Sequence, residues 1–259
     1  MLYLCFLTKK TQAMHETIEG IILKRIPYND KSSIVYLYTQ NYGFLPVIVR
    51  KSNSSKNNHA AFIIPMGIIQ TEIKLNHTRD IQSISKINSE YYLLSLRESY
   101  DKMNIAQFLS EFLYQILKYP HTDQNLYLFL KEWILKLDTT PIELCSNIHI
   151  FALIKLLTFL GIEPENNFSQ KLPYFDLKQA CFTEHLPSDY IEQKNISELW
   201  SFFLSSHYEN ALLKKVSRNN KNHFIKSIMN YYTLHLDIKL NFTTLEVLQA
   251  IYEDYPQNA

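Results

Sequence analysis

Glycine is scarce in this chain, with four in 259 residues at Gly20, Gly43, Gly67 and Gly161. That scarcity excludes a glycine-rich phosphate cradle, and neither the G-x-x-x-x-G-K-[ST] nor the G-x-G-x-x-G spacing occurs. G-x-S-x-G and H-E-x-x-H are absent as well. Cysteine is limited to Cys5, Cys145 and Cys181, far apart and without a C-x-x-C pair. A disulfide framework and a cysteine zinc site are therefore not indicated, and a reducing cytoplasm is the expected setting. No apolar run approaches the roughly 18 residues that cross a bilayer, so no membrane partner is expected. The opening MLYLCFL has no basic flank and no small-residue cleavage site behind it, unlike a signal peptide. Met14 stands just before the first strand-like run, so residues 1–13 read as an N-terminal extension, with Met1 and Met14 both open as native starts.

Hydrophobic residues make up 46% of the chain and charged residues 20%, enough to bury a sizeable core and to exclude global disorder. The net charge of +1 conceals an asymmetry. Residues 1–90 carry 11 Lys/Arg against 6 Asp/Glu, and the remainder 15 against 19. A basic front and an acidic back cancel in the total.

The pattern of the front is that of strands. ETIEGIILKRI is one, with Pro27 closing it. SSIVYLYT is β-branched and aromatic, as a pleated surface prefers. NYG turns the chain into FLPVIVRK, where Pro46 indicates an edge or a bulge. SNSSKNNH is a polar loop, FIIPMGIIQTEIKL a strand region broken by Pro65 and Gly67, and IQSISKI the fifth strand after the NHTRD turn. Five short strand regions with no helical period between them predict a five-stranded Greek-key barrel of the OB type over residues 14–92.

From about Ser95 the period becomes helical. Ile105, Phe108, Leu109, Phe112, Leu113, Ile116 and Leu117 share one face, and Pro120 stops that helix. Leu126, Phe129, Leu130, Trp133, Ile134 and Leu137 repeat the pattern. NIHIFALIKLLTFLG is apolar nearly all round, so it predicts a central buried helix capped by Gly161. Residues 164–190 read as a loop insertion with a short hairpin at YFDLKQACFTE. Helices follow at NISELWSFFLSS and NHFIKSIMNYYTLHL, the latter with Phe224, Ile228, Tyr231 and His235 on one face. The last begins at TTLEVLQAIYE, where Thr243 and Glu246 fit a capping box. The fold class is thus α+β: an OB-type barrel, a join near Asn88–Ser99, and a helical domain over 93–259.

Candidate catalytic groups are few. His149, His207, His223 and His235 lie singly on or near helices, where packing or solvation is the ordinary role. Cys181, Glu184 and His185 lie close together, but metal sites usually present two close ligand pairs. An enzyme is the weaker class. The basic residues of the front fall instead at strand ends and loops: Lys24, Arg25, Lys31, Arg50, Lys51, Lys56, Lys74 and Arg79. OB domains receive single-stranded nucleic acid at such places, and Tyr28, Tyr38, Tyr42 and Phe44 offer stacking faces. The competing reading for Tyr36 and Tyr38, which share a strand face, is plain core; for the cations it is a solvated rim.

TIEGIILKRIPYNDKSSIVYLYTQNYGFLPVIVR resembles the opening of the RecO family of bacterial recombination mediators, in its EGIxLK strand, Pro-Tyr turn, Thr-ended strand and Tyr-Gly before the third strand. IIPMGIIQTEIKLNHTRDIQSISKI, FLGIEP and NYYTLHLDIKLNFTTLEVL are similar to later segments of the same family, so the resemblance runs from about His15 to Tyr252. It implies a non-enzymatic cytoplasmic, nucleoid-associated protein of DNA repair and recombination. Such a protein binds single- and double-stranded DNA, anneals complementary strands, works with RecR, engages the acidic tail of single-stranded DNA-binding protein, and helps load RecA. Carried onto this chain, it points to Lys24, Arg25, Lys31, Arg50, Lys51 and Lys56 as DNA contacts, with Tyr28 and Tyr42 beside them. Many family members hold a four-cysteine zinc module after the central helix; here that place carries Cys181 alone, so no zinc or other cofactor is expected. The hairpin there must then hold by packing, through Tyr174, Phe175 and Phe182. The alternative class is a protein-interaction adaptor without direct DNA binding.

Overall fold

The computed structural model describes residues 15–50, 62–76, 78–118 and 122–244. The N-terminal extension, the polar loop after the third strand, the Pro120 stop and the Thr243–Glu246 capping box lie wholly or partly outside the described residues.

Five strands close into a barrel: β1 (His15–Asn29), β2 (Ser32–Thr39), β3 (Gly43–Arg50), β4 (Ile68–Lys74) and β5 (Gln82–Asn88), in the order β1-β2-β3-β5-β4. The long β1 makes closure possible. Its first half pairs antiparallel with β4 from His15 to Ile21, and its second half pairs with β2 from Gly20 to Asn29. Gly20 sits where the two ladders overlap. A Cβ there would come within 3.1 Å of the Thr39 methyl and 3.3 Å of Leu37, so only glycine fits without a shift. β3 and β5 close the barrel with a short parallel ladder at Val47–Gln82 and Ile48–Ser83.

Pro27 does not close the first strand, as its sequence suggested. β1 continues to Asn29, with Pro27 opposite Ser33. Beyond Ile21 this strand has only β2 as a ladder partner, so a residue without an N–H is tolerated on its open side. Pro46 sits likewise outside the β3–β5 ladder.

Two cores share the strands. Ile18, Ile22, Val35, Leu37, Leu45, Val47, Val49, Ile69, Ile73 and Ile87 fill the barrel. Ile21, Leu23, Tyr38 and Ile68 point outward into the core of the helical region. Burial on both faces explains the unbroken apolar runs, since a strand with one wet face alternates.

Helices α1 (Leu94–Glu98), α2 (Tyr100–Ile116), α3 (Gln124–Thr139), α4 (Ile148–Phe159), α5 (Lys194–Ser205), α6 (Tyr208–Leu213) and α7 (Arg218–Leu236) follow, with a 3₁₀ segment at Ile142–Asn147. The Asp123 carboxylate caps α3 by accepting from the N–H groups of Asn125 and Leu126. Gly161, at φ +68, ends α4 in the left-handed conformation its sequence position predicted. The stretch Ile142–Phe159 is long and apolar enough by composition to cross a membrane, contrary to the expectation that no run reaches that length. Most of it is buried inside the protein, with Ile148, Ile150, Ala152, Leu153, Leu156 and Leu157 in the helical core. It is the central helix on which the others pack.

The insertion contains the expected hairpin, β6 (Tyr174–Asp176) paired with β7 (Cys181–Thr183). Phe175 and Phe182 are buried and Tyr174 is half-buried. The Asp176 carboxylate accepts from the N–H groups of Lys178 and Gln179, which shapes the turn.

Candidate nucleic-acid interface

The ladder places Asn29, Ser32 and Arg50 side by side at one end of the barrel. Lys31 lies in the tight turn between β1 and β2, where its N–H donates to the Asn29 side-chain oxygen 3.0 Å away. Tyr28, just before that turn, is 61% exposed. Arg25 reaches the same end: its Nε donates to Ser33 Oγ at 3.3 Å, one residue from Ser32. The fold thus gathers Arg25, Tyr28, Lys31 and Arg50, which span 26 positions of sequence, onto one exposed rim. Lys51 and Lys56 lie outside the described residues. Beside Arg50, the divergence of β3 from β5 opens a groove lined by Ser83, Ser85 and Lys86, and Lys86 pairs with Glu72 at 2.6 Å.

Two predicted residues stand elsewhere. Tyr42 follows β2 at the opposite end of the barrel, about 25 Å away for eight extended residues. Its hydroxyl donates to the Glu16 carboxylate, and that bond, followed by burial, raises its pKa to about 12. Lys24 lies away from the rim. The β1–β2 register slips between Ile22 and Lys24, leaving Leu23 unpaired, and Leu23 and Lys24 both turn toward the helices. The Leu23 carbonyl accepts from the Ser110 hydroxyl of α2, and one turn further along α2 the Tyr114 ring lies 4.4 Å from the Lys24 ammonium.

Tyr38 belongs to the core rather than to a stacking face. It is 1% exposed and packed against Tyr127 of α3, and burial pushes its hydroxyl up to about 12. Below it, Glu19 of β1 accepts from the Tyr127 hydroxyl at 2.7 Å and pairs with Lys131 at 2.6 Å, which ties α3 to the barrel.

Where the barrel meets α2, Tyr36 and Phe44, the latter offered by the sequence as a stacking face, gather around a ring that sequence reading missed, Tyr114. Tyr36 of β2 meets Tyr114 edge-on at 5.0 Å between ring centres, and Phe44 of β3 lies 5.9 Å from the same ring. Lys118, just past α2, places its ammonium 5.2 Å from the Tyr114 centre. Burial, then the adjacent Tyr36, raises the Tyr114 pKa. A second missed feature is a groove of about 340 Å³ between α3, α4 and α6, with Phe129, Trp133, Phe151 and Tyr208 as its walls and Lys136 and Lys155 at its rim. Lys136 lies 4.5 Å over the Tyr208 ring.

A family profile described as Recombination protein O N terminal matches residues 14–92, and one described as Recombination protein O C terminal matches residues 97–242. The chain belongs to the RecO family. It is 28% identical over 237 residues to DNA repair protein RecO of Azobacteroides pseudotrichonymphae, covering 91% of this chain and 98% of that protein. It is 29% identical over 238 residues to DNA repair protein RecO of Bacteroides fragilis, covering 90% and 98%. DNA repair protein RecO of Christiangramia forsetii matches at 26% over 239 residues, covering 90% and 98%. The four-cysteine zinc module implied by the resemblance does not fit the donors present. Cys181 is the hairpin's lone thiol, and among the described residues no three His, Cys, Asp or Glu side chains gather to hold a metal.

Proposed function

We propose that this RecO-family chain is a non-enzymatic mediator of DNA repair and recombination in the bacterial cytoplasm. It binds single- and double-stranded DNA, anneals complementary strands and, with RecR, helps load RecA onto DNA coated by single-stranded DNA-binding protein. The observation that carries the DNA-binding part is the convergence of Arg25, Lys31 and Arg50 with the exposed Tyr28 on one barrel rim. Cations there neutralise phosphates and release counterions, and an exposed ring stacks on any base, so binding is sequence-tolerant and salt-dependent. Lys51 and Lys56 follow Arg50 in sequence and extend the basic run, whereas contact with Tyr42 requires a strand that runs the length of the barrel. Annealing needs two phosphate chains brought together with their charge screened, which such a rim supplies without a nucleophile or general base.

The α3–α4–α6 groove supports the partner reading. Its aromatic walls and Lys155 suit an acidic peptide such as the tail of single-stranded DNA-binding protein, while Lys136 is already paired with Glu132 on the same rim. Labelled complementary oligonucleotides, with and without the full-length protein, test the annealing role, and a fluorescent acidic tail peptide tests the groove. Accelerated annealing at low salt, lost at high salt, is the expected result. No acceleration and no DNA binding, with the peptide still bound in a Lys155-dependent way, would replace the mediator by an adaptor.

A further inference from the structure

Resting on the DNA-binding reading above, we infer that Tyr114 of α2, walled by Tyr36 and Phe44, is a stacking site for one unpaired base, and that Lys24 and Lys118 hold the phosphates on either side of it. The site lies at the seam between barrel and helices, away from the Arg25–Arg50 rim, and it includes residues of the helical region.

The arrangement is unusual in its charge. Each of the other described rings that a lysine covers is approached by one ammonium, and two of those lysines are balanced by a carboxylate: Lys131 over Tyr91 pairs with Glu19, and Lys136 over Tyr208 pairs with Glu132. Tyr114 is the one ring among the described residues approached by two ammoniums, at 4.4 and 5.2 Å, and neither makes an ion pair with a described carboxylate. The two charges therefore lie within about 10 Å of each other, about one Debye length at 0.1 M salt. The negative end of the α2 dipole accounts for a cation at Lys118. It does not account for Lys24, which the β1 bulge turns toward the same ring. An anionic ligand with a flat apolar portion satisfies both features at once, because phosphates pair with the lysines while a base takes their place on the ring.

The anchoring is firm. The Ser110–Leu23 bond fixes α2 against β1 one turn before Tyr114, and Tyr36 and Phe44 stack on each other at 5.6 Å. Tyr114, Tyr36 and Phe44 are half-buried and keep part of each ring at the surface. A base in a duplex is already stacked and paired, so the site selects single strands, and it would hold a base splayed while a complementary strand is sought.

The test uses full-length protein, a fluorescent oligothymidylate of about 15 nucleotides, and an abasic strand of the same length. Tyr114→Leu should weaken oligothymidylate binding roughly tenfold, the effect of losing one stacked base, while leaving abasic affinity and the salt slope unchanged. Tyr114→Trp should retain binding. No loss with Tyr114→Leu, or equal loss on both strands, overturns the inference while leaving the DNA-binding reading intact. Failure of the unaltered protein to bind either strand overturns both. A second readout needs no variant: photocrosslinking to an oligonucleotide carrying 5-iodouracil should label Tyr114, Tyr36 or Phe44, and adducts confined to other residues would refute the site.

Discussion

Replacing Phe175 with alanine tests how the hairpin of the insertion stays folded. Its strands are three residues each, too short to be stable alone. The Phe175 ring is fully buried and lies 4.5 Å from Trp200, 4.9 Å from Phe182 and 6.0 Å from Tyr231. Its N–H donates to the Ser197 hydroxyl of α5 at 2.8 Å, and that bond survives the substitution, so the loss isolates the ring. A fully buried Phe→Ala change costs about 3–5 kcal/mol, a large part of the roughly 5–15 kcal/mol that holds a domain folded. With a urea slope of about 1–3 kcal/mol per M, the midpoint should fall by at least about 1 M. Trp200 fluorescence reports the transition, because the mutated ring stacks beside that indole. A chelator should leave the midpoint of the unaltered protein where it is. A loss under about 1 kcal/mol for Phe175→Ala, with a chelator-induced drop in the unaltered protein, would show that bound metal rather than packing holds the hairpin.

Three further outcomes are expected. His149 is fully buried; burial first, then the Lys221 ammonium, holds its imidazole down at about 3, against 6.5 when exposed. Its stabilising effect is therefore complete above about pH 6.5 and is lost as pH falls toward 3, because the unfolded chain takes up the proton and the folded one does not. His149→Phe should flatten the pH dependence of the urea midpoint between pH 6.5 and 5 by up to about 1.4 kcal/mol per unit, and an unchanged slope would refute that assignment. Gly161→Ala meets no atom within 4 Å, so its cost is the left-handed backbone alone, about 1–2 kcal/mol by chemical denaturation; a neutral result would mean the helix end relaxes. Lys24→Ala and Arg25→Ala should act independently on DNA affinity, since one faces α2 and the other Ser33; strong coupling in a double-mutant cycle would contradict that separation.

The barrel was legible because its strands are short, β-branched and punctuated by turns, and the helices because their apolar stripes keep the 3.6 period. The hairpin was legible too, since Phe175 and Phe182 stand on either side of a turn-forming stretch. Pro27 misled because a proline ends a strand only where its missing N–H would be needed, and pairing on one side depends on a distant strand. For Tyr38 the sequence allows both core and stacking roles, because strand alternation does not say which face the helices cover; burial at 1% exposure bears out the core role. The rim was partly legible: charge placed Arg25, Lys31 and Arg50 at strand ends, but not Lys24 on another face, since a bulge of one residue reverses a side chain. The seam around Tyr114 and the groove beside Trp133 were invisible, because each joins residues from three elements that no local period relates.

The central claim is that the barrel rim carries DNA-binding charge. The most direct test is fluorescence anisotropy of full-length protein on a labelled single-stranded oligonucleotide across a salt series, comparing the unaltered chain with Arg25→Ala/Arg50→Ala. Each phosphate contact contributes about 0.7 to the slope of log affinity against log salt on single strands. The account predicts steep salt dependence for the unaltered protein and a slope shallower by about 1.4 for the double variant. Equal affinity and equal slope for the two proteins would contradict it.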